Sequence, residues 1–109
     1  MQLAPFPFQI IDWSAIEKEV KNGLTGNATW QVVQMGKVRI RRLEYSPGYS
    51  ADHWCSKGHV IHCLEGDMHT ELEDGRVMHL ASSQTYIVGD DSEAHRSRTE
   101  KGCVLFVVD

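Results

Sequence analysis

Apolar and polar residues alternate in short runs along most of this chain, and turn residues separate the runs. Phe6, Phe8 and Ile10 alternate along an arm marked by Pro5 and Pro7, the pattern of an edge strand or docking strap. One helix is expected next, of about two turns. Asp12 or Ser14 can cap it, Glu17 lies three residues after Ser14, and Gly23 can end it. Beyond Gly26 the period becomes two, which predicts strands over Trp30–Met35, Val38–Tyr45, His59–Leu64 and Met68–Leu72. Further strands are expected over Arg76–Leu80, Thr85–Val88, Ala94–Arg98 and Val104–Val108. Met35-Gly36-Lys37, Pro47-Gly48, Glu65-Gly66-Asp67 and Glu73-Asp74-Gly75 are the turns between them. Many short strands with turn signals predict an all-β closed sandwich or barrel.

Length and composition narrow this to one folded unit. The chain has 109 residues, 41% hydrophobic and 24% charged. That suits a single domain over 1–109, divided into an N-terminal arm, 1–28, and a barrel, 29–109. Net charge is -4, and the basic residues are scattered apart from Arg39, Arg41 and Arg42, so no nucleic-acid stripe is expected. No apolar run approaches the roughly 18 residues of a membrane helix. Met1 to Phe8 lacks a basic region followed by an apolar one, so a cytoplasmic location is expected. Cys55, Cys63 and Cys103 are an odd set, which argues against a disulfide framework.

Candidate chemistry concentrates between Gly48 and Gly66. On a strand, His53 and Cys55 would face the same side, and Gly58 permits a turn before His59 starts the next strand. Two donors on one strand and an imidazole on its neighbour can converge on one ion, and His95 is available as a further donor. The competing assignments are structural. His53 and His95 can be hydrogen-bonded pocket walls, His59 can satisfy a turn carbonyl, and Cys55 can be a small buried residue. His62, three beyond His59, is expected to face the opposite side, Cys63 to pack inward, and His69 and His79 to be solvated. Arg39 and Arg41 share a strand face. Facing inward they could hold a substrate carboxylate; facing outward, the preferred reading, they are edge charges. Trp54 is expected to face away from the ion. No phosphate-binding glycine loop and no nucleophile elbow is present.

The spacing of these residues resembles the first cupin motif, G(x)5HxH(x)3-4E(x)6G. His53 stands at its first His, Cys55 at its second, His59 at its Glu and Gly66 at its final Gly. The second motif matches at His95, while its Pro, second Gly and Asn positions hold Asp90, Ser92 and Thr99. Gly48 is one residue nearer to His53 than the motif has it. Asp52-His53-Trp54-Cys55, and the tail from His95 to Asp109, are similar to the small bacterial single-domain cupins named for a DHCW motif. The resemblance implies a double-stranded β-helix, or jelly-roll barrel, and carries no general activity with it.

The expected site is a divalent transition metal, zinc or iron with nickel or copper as alternatives, held by His53, Cys55, His59 and His95. Oxygen donors are missing from that set, which disfavours calcium and magnesium. An open coordination position would suit an oxygenase or isomerase acting on a small molecule in the barrel. A non-catalytic ligand-binding or structural-zinc module is the alternative, and a thiol sensor based on Cys55 is a third. A homodimer burying the arm, or the outer face near Trp54 and His62, is expected.

Overall fold

The computed structural model describes residues 3–109; Met1 and Gln2 of the arm lie outside the described residues. A 3-10 turn at Trp13–Ala15 precedes eight strands. These are β1 (Glu19–Asn22), β2 (Asn27–Met35), β3 (Val38–Tyr45), β4 (His59–Leu72), β5 (Val77–Ala81), β6 (Thr85–Val88), β7 (His95–Arg98) and β8 (Cys103–Val108). All pairings are antiparallel. No helix among the described residues is long and apolar enough to cross a membrane.

Strand β4 joins the two halves of the barrel. Its first half pairs with β8 and β6, in the sheet that continues through β3, β2 and β1. Its second half pairs with β5 and β7. The sequence predicts a turn at Glu65-Gly66-Asp67, but the chain does not turn back there. A bulge between Cys63 and Glu65 bends one continuous strand from one sheet into the other. Gly66 takes φ +76, and a Cβ there would collide with the Gly102 carbonyl oxygen, so this corner requires glycine.

The expected two-turn helix is replaced by the single 3-10 turn and by β1. Asp12 does cap it, accepting from the Ser14 N–H at 3.0 Å. The turn then ends because Gln31 Nε2 donates to the carbonyls of Trp13 (2.6 Å) and Ile16 (2.9 Å), which a continuing helix would have used. Glu19–Asn22 instead forms a hairpin with Asn27–Trp30. Thus the first strand lies within the segment read as the arm. Phe8, 97% exposed, and Ile10 stand in solvent, on the surface that the expected pairing of two chains would cover.

Inward alternation builds the core from Leu43, Ile61, Cys63, Met68, Leu80, Cys103, Leu105 and Val107. Cross-strand register turns that alternation into rows. Leu43 lies opposite Leu105, which lies opposite Cys63; Arg41 lies opposite Val107, which lies opposite Ile61. One step further along the same inward face, Arg39 meets Asp109 through paired backbone hydrogen bonds, with His59 at the start of β4. The apolar rows therefore hand over to a polar one at one end of the barrel, and the candidate site is there.

Candidate metal centre

Residues 51–58 are a loop rather than a strand, tied to β7 by the Ala51 N–H, which donates to the Ser97 carbonyl at 3.0 Å, and by a bridge between Cys55 and His95. That bridge is reciprocal: Cys55 N–H donates to the His95 carbonyl at 2.8 Å, and His95 N–H to that of Cys55 at 3.0 Å. It fixes the thiol beside the first residue of β7. His59 arrives from β4 with the inward parity of Ile61 and Cys63. One ligand atom from each of Cys55, His59 and His95 lies within 4.8 Å of the others. Cys55 Sγ is 3.4 Å from His59 Nε2, and the two imidazoles meet edge to face at 5.2 Å.

Hydrogen bonds at the far side of each ring set its orientation. His59 Nδ1 donates to Asp109 Oδ2 at 2.7 Å, and His95 Nδ1 to the Glu93 carbonyl at 2.9 Å. Each Nε2 is thereby left with its lone pair free, that of His59 facing the thiol, the arrangement that metal-bound histidines adopt. His95 Nε2 is buried and has no hydrogen-bond partner among the described residues. An orphaned buried nitrogen costs about 1–3 kcal/mol, and an ion in this position would relieve it. Burial lowers the His59 pKa against the opposing effect of its hydrogen bond to Asp109, which favours the neutral, ligating imidazole. Two imidazoles and a thiol fit a zinc, iron or copper ion and suit magnesium or calcium poorly.

His53 is not brought into this cluster. Its side chain is 74% exposed at the cavity rim, and Nδ1 donates to Asp52 Oδ1 at 2.7 Å. The expected shared face of His53 and Cys55 needed a strand, and the loop removes that parity. His62 does face outward, with Nδ1 2.8 Å from Thr85 Oγ1. His79 is exposed and bonded to Asp67, and Trp54 is exposed, its ring centroid 4.5 Å from the Arg96 guanidinium.

Arg39 and Arg41 face inward, contrary to the preferred reading from sequence. Arg39 grips Asp109 with two bonds, Nε to Oδ1 at 3.0 Å and Nη2 to Oδ2 at 3.1 Å. Arg41 Nη2 adds a third at 2.9 Å. Burial alone would raise the Asp109 pKa. Hydrogen bonds from Arg39 and His59, and the charges of both arginines, outweigh it and hold the group at about 2. Asp109 was legible only as the next inward position after Val107, one residue past the end of β8.

A cavity of about 280 Å3 opens beside the cluster, walled by Trp30, Arg41, Tyr45, Tyr49, Met68 and Tyr86. Burial raises the pKa of Tyr45 and of Tyr86, so both remain neutral phenols. The other thiols are removed from this chemistry. Cys63 and Cys103 are buried in the core, and burial pushes the Cys103 thiol up to about 12. A raised thiol pKa means that the reactive thiolate forms only as pH climbs toward that value. At pH 8, iodoacetamide should therefore modify Cys55 alone in the folded, metal-free protein, and added zinc should slow that reaction. Equal rates with and without zinc would remove Cys55 from the metal site.

No family model matches the chain, and no curated protein matches it. Solved structures do. The polyketide cyclase RemF from Streptomyces resistomycificus superposes with TM-score 0.76 at 21% identity, over 94% of this chain and 78% of that one. A predicted oxalate decarboxylase from Thermotoga maritima superposes with TM-score 0.76 at 15% identity, over 92% and 96%. A cupin-2 domain from Rhodospirillum rubrum gives 0.71 at 20%, over 96% and 77%. At these identities the likeness establishes the fold: this is a small cupin-fold protein, as the motif resemblance implied. Activity does not follow from it.

Proposed function

We propose that this protein binds one divalent transition metal, zinc or iron, through Cys55, His59 and His95, and takes a small molecule into the adjoining cavity. The observation that carries the reading is the convergence of three donors from separate parts of the chain, with both histidines oriented by acceptors at Nδ1. No fourth His, Cys, Asp or Glu among the described residues joins the group. That favours an open coordination position over a closed structural site.

A metal held there would supply Lewis-acid polarisation of a bound oxygen. The chain's own residues do the rest. Asp109 holds the His59 tautomer, the neutral phenols of Tyr45 and Tyr86 can donate to an oxygen in the cavity, and Trp30 and Met68 limit water. Such a site suits metal-dependent chemistry on a small molecule, of the oxygenase or isomerase type. Cupin-fold neighbours described as a sugar phosphate isomerase, a polyketide cyclase and a predicted oxalate decarboxylase support an activity on a small molecule. X-ray absorption at the metal edge of the purified protein tests the reading. It should show sulfur and imidazole nitrogen together in the first shell, and a shell of oxygen alone would overturn it.

A second reading has its own support. The line Asp109–His59–Cys55 is continuous through hydrogen bonds of 2.7 and 3.4 Å, an arrangement that can activate a thiol. Cys55 would then react at a rate independent of metal.

A further inference from the structure

We infer that the cavity beside the cluster is a carboxylate-recognition site, in which Arg41 binds a small planar monocarboxylate next to Cys55, His59 and His95. The inference deepens the proposed function, and only its metal-side anchor rests on that reading.

Charge is the first argument. Among the described residues Arg39 and Arg41 share a single side-chain carboxylate, Asp109, so the polar row carries two guanidinium charges against one carboxylate. Arg96, the other arginine on the cavity wall, is already answered by Glu71 at 3.1 Å. Unbalanced charge in a poorly hydrated wall is costly, and an anionic ligand offsets that cost.

Unused donors are the second. Arg41 is only 5% exposed, yet among the described residues it donates through Nη2 alone, and its buried Nε has no partner. A guanidinium has five N–H groups in a fixed fork that matches a carboxylate. The face of Trp30, 4.6 Å from the Arg41 Cζ, holds that fork in place. The phenols of Tyr45 and Tyr49 also make no hydrogen bond to the protein among the described residues and line the same space.

Position and shape complete the case. Asp109 Oδ2 accepts from both Arg41 Nη2 (2.9 Å) and His59 Nδ1 (2.7 Å), so one oxygen atom separates the anion-binding group from the cluster. The cavity, about 280 Å3, lies just below the roughly 300–1,000 Å3 typical of ligand sites, so it suits a small ligand. Its walls are flat: Tyr45 and Tyr49 stack at 4.2 Å, and Trp30 and Tyr86 face the same space. A short planar body bearing one carboxylate satisfies all of these features.

Calorimetric titration of the full chain with benzoate, and with its neutral counterpart benzamide, tests the inference. With zinc at saturation, benzoate should bind at least about tenfold more tightly than benzamide. Arg41→Gln should weaken benzoate roughly 10- to 100-fold, the worth of a charge-assisted pair, and leave benzamide nearly unchanged. Arg41→Lys, which keeps the charge and loses the fork, should fall between; it also serves if Arg41→Gln does not fold. Benzoate binding that depends on Arg41 in a protein that takes up no zinc would sustain this site and remove the metal reading. Equal affinity for benzoate and benzamide, or no benzoate binding at millimolar concentration, would overturn the inference.

Discussion

Asp109→Asn should cost the fold about 3–5 kcal/mol, the loss expected when one partner of a buried charge cluster is removed. The carboxylate is 1% exposed and accepts from Arg39, Arg41 and His59. Asparagine keeps the shape but leaves two guanidinium groups facing each other without a counter-charge. For a domain whose whole stability is about 5–15 kcal/mol, that is a large fraction. Urea unfolding at pH 7 measures it, and a loss below about 1 kcal/mol would mean that water screens the cluster. Restoring an apolar environment, with Arg39→Met and Arg41→Met added to the asparagine variant, should recover much of the loss, because no buried charge is then left unpaired. The same carboxylate orients His59, so metal affinity should fall about 10- to 100-fold in the single variant, as it does when a ligand histidine loses its acceptor.

The sequence made the barrel legible because its signal is periodic. Strand β3 was read with its observed bounds, and so was β6, since alternation there is uninterrupted and glycine or other turn residues flank the runs. Alternation also placed His59 and Cys63 inward and His62 outward on β4. The signal failed where tertiary partners decide the local conformation. Nothing local to Asp12–Gly23 shows that Gln31, on a strand further along, takes the carbonyls a helix would need. Likewise Glu65-Gly66-Asp67 has turn composition, yet its glycine serves a bulge that carries β4 around a corner.

The site was half legible for related reasons. Cys55, His59 and His95 are of ligand type, and a closed barrel brings distant segments to one point. His53 was included through a parity that holds only on a strand, and its segment is a loop tied by the Cys55–His95 bridge. For Arg39 and Arg41 the outward face was preferred and the inward one kept as the alternative; charged residues seldom line a core without a partner. The partner, Asp109, lies 68 residues beyond Arg41, where no local pattern connects them.

Metal content across a set of single variants tests the central claim most directly. Each chain is loaded with zinc, dialysed against metal-free buffer, and analysed for zinc per folded chain, with circular dichroism confirming the barrel. The parent and His53→Ala should each retain about one ion, because His53 is solvated and bonded to Asp52. His59→Ala, His95→Ala and Cys55→Ser should each lose affinity by at least about 100-fold, since losing a ligand exceeds the 10- to 100-fold cost of losing a ligand's hydrogen-bond partner. A His53→Ala protein that loses its zinc while His95→Ala retains it would contradict the assignment of Cys55, His59 and His95 as the metal centre.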